Sequence, residues 1–278
     1  MNNFLGEIIK LKKKRLAIAK AKISLENLKR KASVVRENSD LHRLQKTLTR
    51  NDKINIIAEI KRASPSKGVI NDKINVAELA RQYEKGNVCA ISVLTEEDKF
   101  QGSLEDLRTA KSAVKIPVLC KDFIFDEFQI YEAAEAGADV ILLIAAMLDN
   151  EVLTKLHCLA ERDLGLDVLV EIHTLEELER IKRMGAKIIG INNRDLHSFK
   201  VSLDVSRRLI KHAPTDALMI AESGLQTRED LLELKDLGFS GFLIGETLMR
   251  SENISEKLRQ LVTNKNEITQ IGLTQVAF

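Results

Sequence analysis

Glu59 and Lys61 stand two residues apart at the end of a short apolar run, Ile54-Asn55-Ile56-Ile57-Ala58-Glu59-Ile60-Lys61. Along an extended strand, side chains at i and i+2 leave the same face, so a carboxylate and an ammonium would project together from the strand end. The turn behind them, Ser64-Pro65-Ser66-Lys67-Gly68, supplies hydroxyls and backbone N–H groups of the kind that hold phosphate. Taken alone, this also reads as a strand ending in surface charge. Recurrence separates the two readings. Further apolar runs end in Lys121-Asp122, Glu171, Asn192-Asn193-Arg194-Asp195, Glu222-Ser223-Gly224 and Gly245-Glu246. Two lysines and three carboxylates crowded into one partly buried place would shift one another's proton affinities and provide an acid and a base. The alternative is a salt-bridged plug at one end of the fold. No serine or cysteine sits beside a histidine as an activated nucleophile would. His42, His157, His173, His197 and His212 show no metal-ligand spacing. His173 follows Glu171 closely, but its place suits a helix start better than a pocket. The chemistry expected is acid–base catalysis, without metal or cofactor, on a small molecule that carries phosphate.

The elements that would position these groups alternate from residue 54 onward. Short Val/Ile/Leu-rich runs fall at 54–60, 88–94, 118–121, 140–144, 168–172, 187–191, 217–222 and 241–244. Such near-continuous apolar runs suit parallel strands buried on both faces. Amphipathic stretches at 76–85, 104–113, 127–136, 151–162, 175–184, 203–211, 229–237 and 255–262 read as helices. Ser103, Thr174 and Thr227 are placed to cap helix starts, and Gly137, Gly185 and Gly238 to end helices just before a strand. Eight βα units predict a single (β/α)8 TIM barrel, with the polar strand ends on its active face. A doubly wound sheet would also alternate, but it usually carries a glycine-rich phosphate loop after its first strand. Neither GxGxxG nor a Walker A motif occurs here. In a barrel, Ser223-Gly224 and Gly245-Glu246, after strands seven and eight, occupy the usual phosphate site.

The 278 residues fit one such barrel with an N-terminal helical extension at 1–50, the barrel at 51–262 and a C-terminal tail at 263–278. No run approaches the roughly 20 apolar residues of a membrane span, and the first residues lack a secretory signal core. Cys89, Cys120 and Cys158 read as reduced core thiols of a cytoplasmic protein. The net charge of +2 conceals an asymmetry. Residues 1–50 hold 14 Lys and Arg against 4 Asp and Glu, which leaves 29 against 37 of the whole-chain totals of 43 and 41. Leu5, Ile8, Ile9, Leu16, Ile23, Leu25 and Leu28 recur at roughly helical spacing, so the basic segment reads as amphipathic helix packed on an acidic body. A nucleic-acid-binding arm is the competing reading. Phe4 is its sole aromatic residue, too few for a base-stacking platform.

Ordered motifs along the chain resemble the indole-3-glycerol phosphate synthase family of tryptophan biosynthesis. They are Ala58-Glu59-Ile60-Lys61-Arg62-Ala63-Ser64-Pro65-Ser66, Ser92-Val93-Leu94-Thr95-Glu96, Cys120-Lys121-Asp122-Phe123-Ile124, Leu142-Leu143-Ile144-Ala145-Ala146, Leu169-Val170-Glu171-Ile172-His173, Gly190-Ile191-Asn192-Asn193-Arg194-Asp195-Leu196, Ala221-Glu222-Ser223-Gly224 and Leu243-Ile244-Gly245-Glu246-Thr247-Leu248-Met249. The resemblance implies ring closure, decarboxylation and dehydration of 1-(2-carboxyphenylamino)-1-deoxyribulose 5-phosphate. It implies Lys121 as the general acid at the ribulosyl carbonyl, Lys61 as partner of the substrate carboxylate and an aid to proton transfer, and Glu171 as acid/base of the dehydration. Glu59 and Asn192 would hold sugar hydroxyls and position the lysines, with Glu222 and Arg194 completing the polar ring. Ser64, Ser223, Gly224, Gly245 and Glu246 match phosphate-binding positions, and Phe123 and Leu142 the wall around the aromatic ring. The family's basic extension folds over the active face. A monomer or weak homodimer is expected, with no nucleic-acid or membrane partner. The nearest competitor is another phosphate-binding barrel, an isomerase using an Asp or Cys acid–base pair.

Overall fold

A computed structural model of the chain describes residues 3–263 except Asn38 and Asn51; the expected tail lies, from residue 264 on, outside the described residues. Eight parallel strands close into a (β/α)8 TIM barrel in sequence order. They are β1 (Ile56–Ile60), β2 (Ala90–Leu94), β3 (Val118–Lys121), β4 (Val140–Ile144), β5 (Asp167–Ile172), β6 (Ile188–Asn192), β7 (Leu218–Glu222) and β8 (Gly241–Ile244). Closure runs through β1 and β8, with Ile56 opposite Phe242 and Ala58 opposite Ile244. Strand β1 starts two residues later than its apolar run because Asn55 is used otherwise. Its side-chain amide donates to the carbonyls of Leu48, Arg50 and Ser240 at 3.3, 2.9 and 2.9 Å. That buried amide ties three chain segments together at the strand N-termini.

The outer ring is α4 (Val76–Lys85), α5 (Leu104–Ala113), α6 (Glu127–Glu135), α7 (Asn150–Cys158), α8 (Leu175–Met184), α9 (Asp204–Leu209) and α10 (Arg228–Asp236), followed by the short α11 (Glu246–Met249) and α12 (Ile254–Val262). The caps act where the sequence placed them. Ser103, Thr174 and Thr227 accept from the N–H groups of Asp106, Glu177 and Asp230. Gly137, Gly185 and Gly238 have φ of +88°, +77° and +111°, which only glycine adopts without strain. The helix expected at 151–162 is split: α7 ends at Cys158 and a π-turn covers Leu159–Asp163.

The N-terminal helices α1 (Asn3–Lys22), α2 (Leu25–Glu37) and α3 (Arg43–Leu48) form a strap along the barrel. Leu5, Ile8, Leu28, Ala32, Leu44 and Leu48 are buried in the same core as the strands. Helix α2 packs on α6, and the Arg36 guanidinium donates to the carbonyls of Leu164 and Gly165 at 2.8 and 2.9 Å. Helix α3 closes the N-terminal end of the barrel. Asp167, first residue of β5, accepts the Leu44 N–H at 2.7 Å, and a Cβ on Gly241 of β8 would fall 2.7 Å from Leu48. Helix α1 runs along the loops that follow β2 and β3 on the active face, with Phe4 lining the cavity, Lys99 pairing with Glu7 and Lys12 with Asp122. The other two helices leave that face, because α2 buries its apolar residues against α6 and α3 against the opposite end. The acidic body does receive the basic arm: Lys12 pairs with Asp122, Arg15 with Asp98, Lys20 with Asp126 and Lys29 with Glu127.

Candidate active site

Four charged side chains reach the barrel interior from the odd strands, one each: Glu59 on β1, Lys121 on β3, Glu171 on β5 and Glu222 on β7. Alternate strands of a barrel contribute to one interior layer, so this spacing sets the four in one ring. The Lys121 ammonium lies 3.0 Å from Glu171 Oε2 and 2.7 Å from Glu222 Oε2. Burial disfavours its charge, but Glu171, Glu222 and Glu59 together raise its pKa above the ordinary lysine value. The two clasping glutamates differ in turn. Burial opposes ionisation of Glu171, yet Lys121 and His173 hold its carboxyl well below the usual range. Glu222 is pushed up to about 7 by burial, which the Lys121 ammonium offsets only in part and the Glu171 charge reinforces. Its Oε1 has no hydrogen-bond partner and rests over Gly190 of β6, where a Cβ would come within 2.1 Å. Glycine at that position makes room for the carboxylate.

Lys61 lies just past the end of β1, and its ammonium sits 2.6 Å from Glu59 Oε1. A Cβ on Gly245, after β8, would meet the same Glu59 oxygen at 2.2 Å. Thus each of two barrel-interior glutamates relies on a neighbouring glycine for space. Asn192 ends β6 and accepts the Arg194 N–H at 3.0 Å. Lys121 is held by Glu171 and Glu222; the hydrogen bonds of Glu59 and Asn192 run to Lys61 and Arg194.

Above this ring opens a cavity of about 910 Å³, lined by all fourteen residues singled out from the sequence. Phe123 and Leu142 form part of one wall, and most of the aromatic lining was not foreseen. Phe4 of α1 packs edge-on against Phe123 and Phe199, with ring centroids 6.3 and 5.2 Å apart, and Phe100 lies 6.1 Å from Phe123. These four phenylalanines lie far apart along the chain, and no spacing rule connects them. At the other end of the cavity Ser64, Ser223, Gly224, Gly245 and Glu246 gather. Ser223 and Gly224 both have left-handed backbone, with φ of +66° and +83°. Three cations surround the single Glu246 carboxylate: Arg194 at 3.6 Å, Lys67 at 3.8 Å and Arg250 at 3.8 Å. A cationic excess beside turn N–H groups suits a phosphate dianion. Lys67 could have been found, since it belongs to the Ser-Pro-Ser-Lys-Gly turn.

His173 stands at a helix start, as its place in the sequence suits. It precedes the Thr174 cap at the start of α8, yet its Nε2 lies 3.5 Å from Glu171 Oε1. The cavity walls do not include it. Among the described residues, one group of His, Cys, Asp and Glu has metal-like proximity: Glu96, Glu97 and Asp98 after β2. Glu96 accepts the N–H groups of Asp98, Lys99 and Phe100, and Asp98 binds Arg15. Those carboxylates are engaged in shaping the loop.

The family model for indole-3-glycerol phosphate synthase matches residues 5–261. A protein of that name from Legionella pneumophila (strain Paris) is 43% identical over 264 residues, covering 95% of this chain and 100% of its own. Another, from Desulfosudis oleivorans, is 49% identical over 208 residues, or 75% and 79% of the two chains. Two solved structures share the fold alone, each at 16% identity. They are thiamine phosphate pyrophosphorylase from Pyrococcus furiosus (TM-score 0.57, 82% of this chain and 98% of that one) and N-acetylmannosamine-6-phosphate 2-epimerase from Clostridium perfringens (TM-score 0.59, 84% and 98%). A match of this extent, on a barrel whose strand ends carry the expected lysines and glutamates, shows that the chain belongs to the indole-3-glycerol phosphate synthase family.

Proposed function

We propose that the residues of this pocket divide the family's reaction, ring closure with loss of carbon dioxide and then water, as follows. Lys121, charged and clasped by Glu171 and Glu222, is the general acid. As the carboxylate-bearing ring carbon forms its bond to the ribulosyl carbonyl carbon, the carbonyl oxygen takes a proton from the ammonium. The carboxylate then leaves as carbon dioxide, and its bonding pair returns to the ring. Lys61, held by Glu59, orients the carboxylate before it departs. Glu171, ionised beside Lys121, is the acid/base of the dehydration. Asn192 and Glu59 hold sugar hydroxyls. The phosphate lies among Ser64, Ser223, Gly224, Gly245 and the cations around Glu246, and the aromatic ring against Phe123, Leu142 and Phe4.

The observation that carries this reading is the Lys121 ammonium within 3.0 Å of two buried carboxylates at the floor of a cavity that is apolar on one side and cationic on the other. An ammonium so placed supplies the positive charge that polarises the carbonyl, so the scheme needs no cofactor. Indole formation followed by absorbance, with wild type, Lys121→Met and Glu171→Gln, tests it. Full activity in either variant overturns that residue's role, and dialysis against a strong chelator should leave the wild-type rate unchanged. The same reading makes the protein a cytoplasmic monomer or weak homodimer. Free cysteines at 89, 120 and 158 support the reducing compartment. Light scattering across a concentration series tests the oligomeric state.

A further inference from the structure

His173 is a buried imidazole set between two carboxylates and away from the cavity. Its Nε2 lies 3.5 Å from Glu171 Oε1 at the end of β5, and its Nδ1 3.8 Å from Glu177 Oε2 in the first turn of α8. The side chain is 11% exposed, and neither ring nitrogen has a hydrogen-bond partner. The placement is built by the chain itself. Thr174 caps α8 through the Glu177 N–H, and Glu177 reaches back to accept the His173 N–H at 2.6 Å. That reciprocal pair fixes the backbone on both sides of the ring. The N-terminus of α8 disfavours a cation, so the site needs its two carboxylates to hold one.

We infer that His173 is a positioning residue that acts through Glu171: as the imidazolium, set against Glu177, it keeps the Glu171 carboxylate turned toward Lys121. It touches neither cavity nor substrate and transfers no proton in the cycle. The inference rests on the role proposed above for Glu171. The charged groups around that carboxylate are Lys121 from β3, Glu222 from β7, Glu59 from β1 and His173 itself, with the Asn192 amide from β6. Those around the imidazole are Glu171, Glu177 and, farther off, Glu222. Burial disfavours the imidazolium, but Glu177 and Glu171 outweigh it and raise the His173 pKa above its ordinary 6.5. Lys121 takes Glu171 Oε2 and the imidazolium faces Oε1, so the two cations hold the carboxylate from both sides.

The test compares wild type, His173→Gln, Glu177→Gln and Glu171→Gln by kcat and KM from pH 6 to pH 9. For His173→Gln the ratio of wild-type to variant kcat should be about tenfold at pH 6, because the carboxylate is no longer held in place. It should shrink as pH rises through the imidazole's titration, where wild type loses the same charge. KM should change little. Glu177→Gln keeps an acceptor for the His173 N–H but removes the charge, so it should show the same pH-dependent ratio at smaller size. A loss constant across pH, or no loss in either variant, overturns the inference. If His173→Gln does not fold, Glu177→Gln decides alone by the same ratio. Retained activity in Glu171→Gln would instead remove Glu171 from the reaction, a failure separable from that of His173.

Discussion

The ammonium of Lys12, on the first helix, lies 2.7 Å from Asp122, the residue that directly follows Lys121. Both partners are buried. Asp122 also accepts from Thr95 Oγ1 at 2.7 Å and from the Phe123 N–H at 2.7 Å, so the end of β3 is anchored on three sides. Removing one partner of a buried pair typically costs about 3–5 kcal/mol. Lys12→Met should lower stability by that order and reduce kcat/KM by about tenfold, since a small misplacement of a catalytic group carries a large rate penalty. Burial works against the Lys12 charge, but Asp122 and Glu97 raise its pKa. The pair's contribution should therefore be complete at neutral pH and fade only as pH rises past the ordinary lysine range. Urea unfolding at pH 7 and pH 11 measures it.

Lys121→Met should cost roughly 10²–10⁴-fold in kcat, the usual loss for a general acid. It also strands Glu171 and Glu222 in the barrel without a cation, which raises both carboxyl pKa values. The variant should then be less stable than wild type at pH 8 and recover much of the difference near pH 5, where the carboxyls are protonated. Equal destabilisation at both pH values would show that Lys121 does not neutralise the pair.

Glu222, pushed up to about 7, retains a proton that the unfolded chain has released above about 4.5. The native state binds more protons across that window, so this residue makes stability fall as pH rises through it, by about 3 kcal/mol for a fully buried group. Glu171, held low, acts oppositely: its contribution is present above the ordinary glutamate value and is lost as pH falls below it. Glu222→Gln should flatten the decline between pH 4.5 and 7 while leaving the acid-side loss in place. Denaturant titrations at half-unit intervals would resolve the two.

Deleting residues 1–45 should unfold the protein, not merely weaken substrate capture. The deletion removes Leu5, Ile8, Leu28, Ala32 and Leu44 from the shared core and opens the barrel end that α3 closes. Leu44→Ala alone should cost about 2–5 kcal/mol. A truncated chain with a native circular dichroism spectrum and a cooperative melt would contradict the continuity of that core.

Repetition made the barrel legible. Eight apolar runs with capped helices between them allow few other folds, and the polar ends of those runs gather Glu59, Lys121, Glu171 and Glu222 at one mouth of the barrel. Contacts without a local signature stayed hidden. Nothing in the sequence joins Phe4 to Phe123 and Phe199, or Leu44 to Asp167, because these are meetings of segments more than a hundred residues apart. Periodicity showed that the first helices are amphipathic, but not which part of the barrel their apolar faces cover. His173 was only half legible: its closeness to Glu171 in sequence was noticed, but a helix start accounts for it there, and its contact with the Glu171 carboxylate appears only in the fold.

The position of Phe4 bears on how this enzyme is handled in the laboratory. A helix whose second residue lines the reaction chamber brings any polypeptide joined ahead of it to the chamber's rim. An affinity tag or fused partner placed there would compete with substrate for the opening, and a charged tag would add to or cancel the cationic rim around Glu246. Kinetic comparisons among variants are therefore best made on protein carrying nothing before Met1.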